Sequence, residues 1–256
     1  MIRCTLILLL FIGSYLFLQH KSQGFRYSHV LSSEGKSEGI VAGSCEKLLD
    51  QRFTYLKKGS TSYVFVGEDK KTILKLFNHT MSLQNVFASA TRAYLQIKDE
   101  TGLLYLHLGE TQNLNKRVTI YDPLGIPYQL DLDKVDFLLQ KRATSICRAI
   151  KESMEQDEVE NAKRIIAQLL ETMELCYSKG LVDTDDAVKR NYGVASGKVI
   201  ALDVGAFRPV DQVENSTYQT ALLQLWLEKH YPELASCLQM RKELQKQDPS
   251  KNLSQY

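Results

Sequence analysis

Between residues 159 and 177, Val159, Ala162, Ile165, Ile166, Leu169, Leu170, Met173, Cys176 and Tyr177 recur at three- and four-residue intervals. That spacing fits one stripe of an α-helix, because a strand would send alternate residues to opposite faces. A stripe of this length must be buried, so other elements have to pack around it. Ahead of it the pattern is β. "FTYLKKG", "SYVFVG" and "TILKLF" are short β-branched or aromatic runs between residues 53 and 77, separated by Gly59 and by the turn "GEDKK". Residues 81–98 show helical spacing, and "RVTIYDPLGIPYQLDL" predicts a hairpin turning at Pro123 to Gly125. "KVDFLLQKR" reads as a strand running into a connector, and two further helices fit 214–229 and 233–245. A β-rich half with one helix therefore precedes an α-rich half, which predicts an α+β fold with two lobes.

The bulk numbers exclude some classes. A hydrophobic content of 44% with 24% charge is that of a folded domain rather than a disordered chain. The formal net charge is only +2, far from the excess of Lys and Arg that displaces counterions from nucleic acid, so no nucleic-acid partner is expected. The five cysteines form no C-x-x-C pair and read as buried thiols rather than zinc ligands. The start of the chain differs from the rest. An apolar run from Thr5 to Leu18 lies between Arg3 and His20–Lys21. It is short for a full span and suits a membrane anchor or a signal-peptide core. The bulky "QHKSQG" that follows favours an uncleaved anchor over residues 1–21, with a cleaved, secreted product as the alternative. Positive charge is nearly even on its two sides and sets no orientation. Residues 22–43, rich in Ser and Gly, are expected to be a flexible tether, and 247–256 a polar tail. The domain is expected over 44–246, with lobes at about 50–140 and 141–246.

The stretch "GLVDTDDAVKRNYGVASGKVIALDVGAF", residues 180–207, follows the striped helix. It places an Asp-rich loop and an Asn before two short strands and an Asp-x-Gly. With the β hairpin, the strand lysine Lys75 and the helices in that order, about 50–207 resembles the protein-kinase-like superfamily. The resemblance implies a small β-rich N-lobe, a reduced α-helical C-lobe and a nucleotide cleft between them. Taken by residue, "LKKGSTSYVF" is similar to the glycine-rich loop. Gly59 matches its middle glycine, Val64 the valine against the adenine, and Lys57 and Ser62 stand at the outer glycines. Lys75 matches the lysine on the nucleotide phosphates; on a half-exposed strand such a lysine can equally face solvent. Asp186 to Asn191 has the Asp-x-x-x-x-Asn spacing of the catalytic loop, whereas aligning from Gly180 puts Asp185 at the catalytic position with one residue inserted. "DT" or "TD" then replaces the usual His-Arg. Lys189 and Arg190 are candidates to steady a transferred phosphoryl group, and Asp183 is a candidate to join the carboxylates. "ALDVGAF" resembles the Asp-Phe-Gly element, so the resemblance implies that Asn191 and Asp203 hold Mg2+ on ATP and that Gly205 permits a sharp exit.

The departures matter as much. The helix at 81–98 has no Glu to pair with Lys75; Asp99 and Glu100 come only at its end. About 50 residues follow Asp-Val-Gly, with no Ala-Pro-Glu and no long activation segment. Two functions stay open. One is a membrane-anchored Mg-ATP-dependent phosphotransferase acting on a hydroxyl acceptor. The other is a catalytically inactive kinase-like (pseudokinase) module kept for binding or regulation.

Overall fold

Short β-branched and aromatic runs pair because each is too short to bury its apolar face alone. In the computed structural model, which describes residues 24–31, 40–42, 45–112, 114–185, 187–212 and 220–247, they build one large sheet. The apolar run at 5–18 and the polar tail from 248 onward lie outside the described residues. Among the described residues, no helix is long and apolar enough to cross a membrane. The chain divides into two units, the first ending at Leu83 and resuming over Leu104–Arg142, the second comprising Gln84–Leu103 and everything from Ala143. The helix expected at 81–98 thus joins the second unit, not the β-rich lobe to which sequence order assigned it.

The first unit carries β1 (Ile40–Ala42), β2 (Phe53–Lys58), β3 (Ser62–Gly67), β4 (Thr72–Phe77), β5 (Leu103–Leu108), β6 (Arg117–Tyr121), β7 (Pro127–Asp131) and β8 (Phe137–Lys141), with a single helical turn, α1 (Glu46–Leu49). Their order across the sheet is β1-β5-β8-β4-β3-β2-β6-β7. β2, β3, β4 and β8 run antiparallel in succession, and β6 joins the edge of β2 in parallel. Alternation along β3 and β4 sends Tyr63, Phe65, Leu74 and Leu76 into the main core with Phe53, Tyr105 and Phe137. The opposite face carries Val64, Val66 and Ile73, a small apolar cluster of its own. The hairpin turn expected at 123–125 is present: the Asp122 carboxylate accepts the N–H groups of Leu124 and Ile126, and Gly125 takes φ 78°.

The expected tether over 22–43 is corrected over its described part. Phe25 and Val30 are buried in the main core, and the Phe25 ring lies 5.1 Å from Tyr63 and 5.7 Å from Phe65. The Tyr63 hydroxyl donates to the Gly24 carbonyl at 2.9 Å, and the His79 N–H to the His29 carbonyl at 2.8 Å. Residues 40–42 pair with β5 as β1. Ser and Gly around them set the composition, but two apolar side chains decide the packing.

In the second unit, α2 (Gln84–Gln96) and α3 (Lys98–Thr101) are followed, after the return from the first unit, by β9 (Thr144–Ser145), α4 (Ile146–Glu155) and α5 (Val159–Ser178). Next come β10 (Leu181–Asp183), α6 (Val188–Asn191), β11 (Tyr192–Ala195), β12 (Lys198–Ala201) and β13 (Phe207–Pro209), then α7 (Ala221–His230) and α8 (Pro232–Gln247). The stripe on α5 behaves as its spacing requires: Ala162, Ile165, Ile166, Leu169, Leu170, Met173 and Cys176 are buried, and only the end residues Val159 and Tyr177 are more open. β11 and β12 form a hairpin on the two-residue turn Ser196–Gly197, both at positive φ, the turn whose twist matches the strands. Of the helix expected at 214–229, the described part is α7.

β9 lies on β11 so closely that a Cβ on Gly193 would stand 2.6 Å from the Thr144 carbonyl oxygen. Gly193→Ala is therefore expected to force the two strands apart and to lose about 1–3 kcal/mol in urea unfolding. An unchanged midpoint would show that the strands separate freely.

Candidate active site

The loop after α5 is shaped by its own carboxylates. Asp183 closes β10, and its Oδ1 accepts the Asp185 N–H at 3.0 Å; Asp185 Oδ1 in turn accepts the Ala187 N–H at 3.0 Å. These local bonds favour a turn over a continued strand and lead the chain into α6. α6 ends at Asn191, which is 5% exposed. Its backbone carbonyl accepts the Leu202 N–H at 2.6 Å, at the end of the β11–β12 hairpin, which sets Asn191 beside the start of the Asp203–Gly205 segment. Asp203 Oδ1 accepts the Gly205 N–H at 2.9 Å. β10 and β13 pair Asp183 with Phe207, so both acidic segments converge at this end of the second unit.

Two polar atoms here are sealed from solvent without a hydrogen-bond partner, Asp183 Oδ2 and Asn191 Nδ2. Burial pushes the Asp183 carboxyl up to about 7, and the charges of Asp203 and Asp185 add to it. The Asp185 N–H and the Asn191 side chain, near enough to Asp183 to act on it but not aligned as a hydrogen bond, act in the opposite direction. An unpartnered buried polar group costs about 1–3 kcal/mol, so two in one place mark a spot that a ligand would relieve. The sequence offered Asp183 only as an additional carboxylate. Among the described acids of the site it is the one whose carboxyl burial raises, because β10 carries it inward beside Asn191.

The other candidates fall as follows. Asp185 starts the turn into α6, and Asp186 lies outside the described residues. Lys189 is half-buried on α6, where its charge acts against the burial that raises the Cys147 thiol to about 11. In the first unit, Gly59 closes the β2–β3 hairpin by donating its N–H to the Ser62 carbonyl at 2.8 Å. Its φ is not left-handed; what it needs is room, because a Cβ would sit 3.3 Å from that carbonyl. Ser62 is buried at the start of β3, and its carbonyl closes the loop. Val64 is directly paired with Lys75 across β3 and β4, and alternation puts half-buried Lys75 on the sheet face of the Val64, Val66 and Ile73 cluster, away from the main core. Gly59, Ser62, Val64 and Lys75 thus belong to the first unit, and Asp183, Asp185, Lys189, Asn191 and Asp203 to the second.

Gly205, like Gly59, is needed for room. It carries no left-handed φ, but the backbone bends at Gly205 and Ala206, and a Cβ there would lie 3.2 Å from Asp203 Oδ1, so the glycine also leaves space for the carboxylate. Glu100 forms an ion pair with Lys179 at 2.6 Å. Sequence reasoning passed over Ser89 altogether. Its hydroxyl, buried on α2, bonds to the backbone of Val204 and Phe207.

The donor set suits a hard cation, since carboxylate and amide oxygens are its ligands, and turning the Asn191 amide over presents oxygen where the unpartnered nitrogen stands. Among the described residues, no three His, Cys, Asp or Glu side chains converge closely enough to hold a metal by themselves. Asn191 and Asp203 carry the amide and carboxylate oxygens that magnesium takes together with waters and phosphate oxygens.

No family model and no curated protein matches the chain. Among solved structures it is similar to the ROP18 kinase domain in complex with AMP-PNP and sucrose, with 17% identity over 64% of this chain and 53% of that one, at a TM-score of 0.42. It is also similar to WbdD, co-crystallised with a kinase inhibitor, with 11% identity over 68% of this chain and 36% of that one, at a TM-score of 0.33. The chain thus spans about half of the first and about a third of the second. Its own fold is α+β, with the β-rich unit first, and the elements follow the order read from residues 50–207.

Proposed function

We propose that the chain binds ATP with magnesium and transfers the terminal phosphoryl group to a hydroxyl acceptor. The observation that carries this reading is the pair of unpartnered buried atoms, Asp183 Oδ2 and Asn191 Nδ2, beside Asp203 and Asp185. Magnesium, when bound, would neutralise charge on the phosphates. Asn191 and Asp203 would hold it, the carboxylate of Asp203 being oriented by the Gly205 N–H. Asp185, fixed by its bond from Ala187, would align the acceptor hydroxyl and take its proton, with Asp186 as the alternative from motif spacing. Lys75 would contact the phosphates, Val64 would pack on the adenine, and Gly59 and Ser62 would close the loop over the nucleotide. Lys189 would steady the charge of the transferred group. The run at 5–18 supports attachment of this activity to a membrane, checked by whether the full chain sediments with membranes and its deletion of 5–18 does not.

The decisive measurement is a thermal shift of the full chain with Mg-ATP. The wild type is expected to be stabilised, Asp203→Asn to show no shift, and omission of magnesium to shrink the wild-type effect. Stabilisation scales with the logarithm of ligand over Kd, reaching about 2.7 kcal/mol at a hundredfold excess. No shift at millimolar Mg-ATP sinks the proposal.

A second reading is supported by a helix α2 that carries no Glu, a departure from the kinase-like pattern. In that reading the chain would bind nucleotide or a partner and transfer nothing. Nucleotide binding without phosphate release or transfer to any hydroxyl compound distinguishes the two.

A further inference from the structure

The stretch from Asp203 to Ala206 has no regular secondary structure, so its backbone groups need partners outside any ladder. They find them on two sides. From α2, the Ser89 hydroxyl donates to the Val204 carbonyl at 2.6 Å and accepts the Phe207 N–H at 2.8 Å, and Arg92 Nη2 donates to the Phe207 carbonyl at 3.3 Å. From the acidic loop, Thr184 donates its N–H and its hydroxyl to the Ala206 carbonyl at 3.1 and 2.8 Å. Ser89 is 1% exposed, and Val86, one turn earlier, meets the space beside Gly205 at 3.5 Å. Val86, Ser89 and Arg92 recur at three-residue intervals and share one side of the helix. Gly205 lies inside this bracket, and its N–H is the donor that turns the Asp203 carboxylate.

We infer that Ser89 is a positioning residue for Asp203, acting through the backbone of Val204 and Phe207. The inference rests on the proposed magnesium role of Asp203 and deepens it. One hydroxyl serves as donor and acceptor to groups on either side of Gly205 and Ala206, so its loss frees both ends of the segment at once. Helix α2, which has no acidic residue between Gln84 and Gln96, then controls the metal-binding carboxylate by a neutral bond to main chain. A partner that orients a metal ligand is worth about 10–100-fold in metal affinity.

The test compares full-length wild type with Ser89→Ala and with Arg92→Met, which removes only the bond to Phe207 and keeps the stem. Two quantities are read: hydrogen exchange at the Gly205 and Phe207 amides without nucleotide, and the magnesium dependence of ATP binding. Ser89→Ala is expected to speed exchange at both amides and to weaken the magnesium dependence at least tenfold, leaving magnesium-free ATP binding near wild type. Arg92→Met should give a smaller change of the same sign, and it decides the matter if Ser89→Ala does not fold. Unchanged magnesium dependence in a folded Ser89→Ala, or in Arg92→Met if that alone folds, overturns the inference. A wild type that binds no Mg-ATP overturns the function proposed above and, with it, the metal role of this bracket; wild-type exchange rates in the variant overturn the bracket itself.

Discussion

Phe25→Ala is expected to lose about 3–5 kcal/mol of stability, the cost of removing a large aromatic side chain from a packed core. The ring is 6% exposed and sits among Tyr55, Tyr63, Phe65 and Tyr128, with centroids between 5.1 and 6.2 Å away. Those neighbours come from β2, β3 and β7, so the cavity would open where three strands meet the N-terminal segment. The Tyr63–Gly24 hydrogen bond holds the same segment and would not refill the space. Denaturant unfolding of the full chain measures the loss. A change below 1 kcal/mol would mean that residues 24–31 lie on the sheet without being part of its core.

The second large effect concerns pH. An ordinary aspartic acid titrates near 4, and burial raises Asp183 to about 7. Between those values the folded chain keeps a proton that the unfolded chain releases. Stability attributable to this group therefore falls as pH rises from about 4 to about 7 and is level above that. The full loss is at most about 4 kcal/mol, at 1.4 kcal/mol for each pH unit of displacement. Asp183→Asn, measured in a chelator to remove divalent cations, should match wild type near pH 4 and exceed it at pH 8. Parallel stability curves from pH 4 to 8 would refute the burial of this carboxylate.

Much of the architecture was legible because local and tertiary demands agree. β2, β3 and β4 are β-branched runs between turn residues, and the α5 stripe has one period over its whole length. β5 was not legible. "LLYLHL" is apolar at nearly every position, so it has no period, and the structure buries Tyr105, Leu106 and His107 completely on successive positions. Even His107 is satisfied there, by the Val135 carbonyl and the Thr111 hydroxyl. α4 did carry a signal, Ile146, Ala149, Ile150 and Ser153 at helical spacing, hidden by its polar neighbours. In the candidate site, the motif spacing pointed to Asn191 and Asp203. It could not reveal Ser89, whose partners are main-chain groups more than a hundred residues away and leave no mark on composition. Nor could it reveal that Asp183 is carried inward.

The polypeptide changes unit after Leu83, after Leu103 and again after Arg142. No single cut can separate the halves into autonomous pieces. A fragment ending at Arg142 would carry α2 with its apolar side stripped of cover, and one starting at Ala143 would leave the Val204 carbonyl and Phe207 amide unanswered. Deletion mapping with such fragments would register loss of folding as though it were loss of function; only a permuted chain, rejoined to make each half continuous, would dissect the molecule along its true seam.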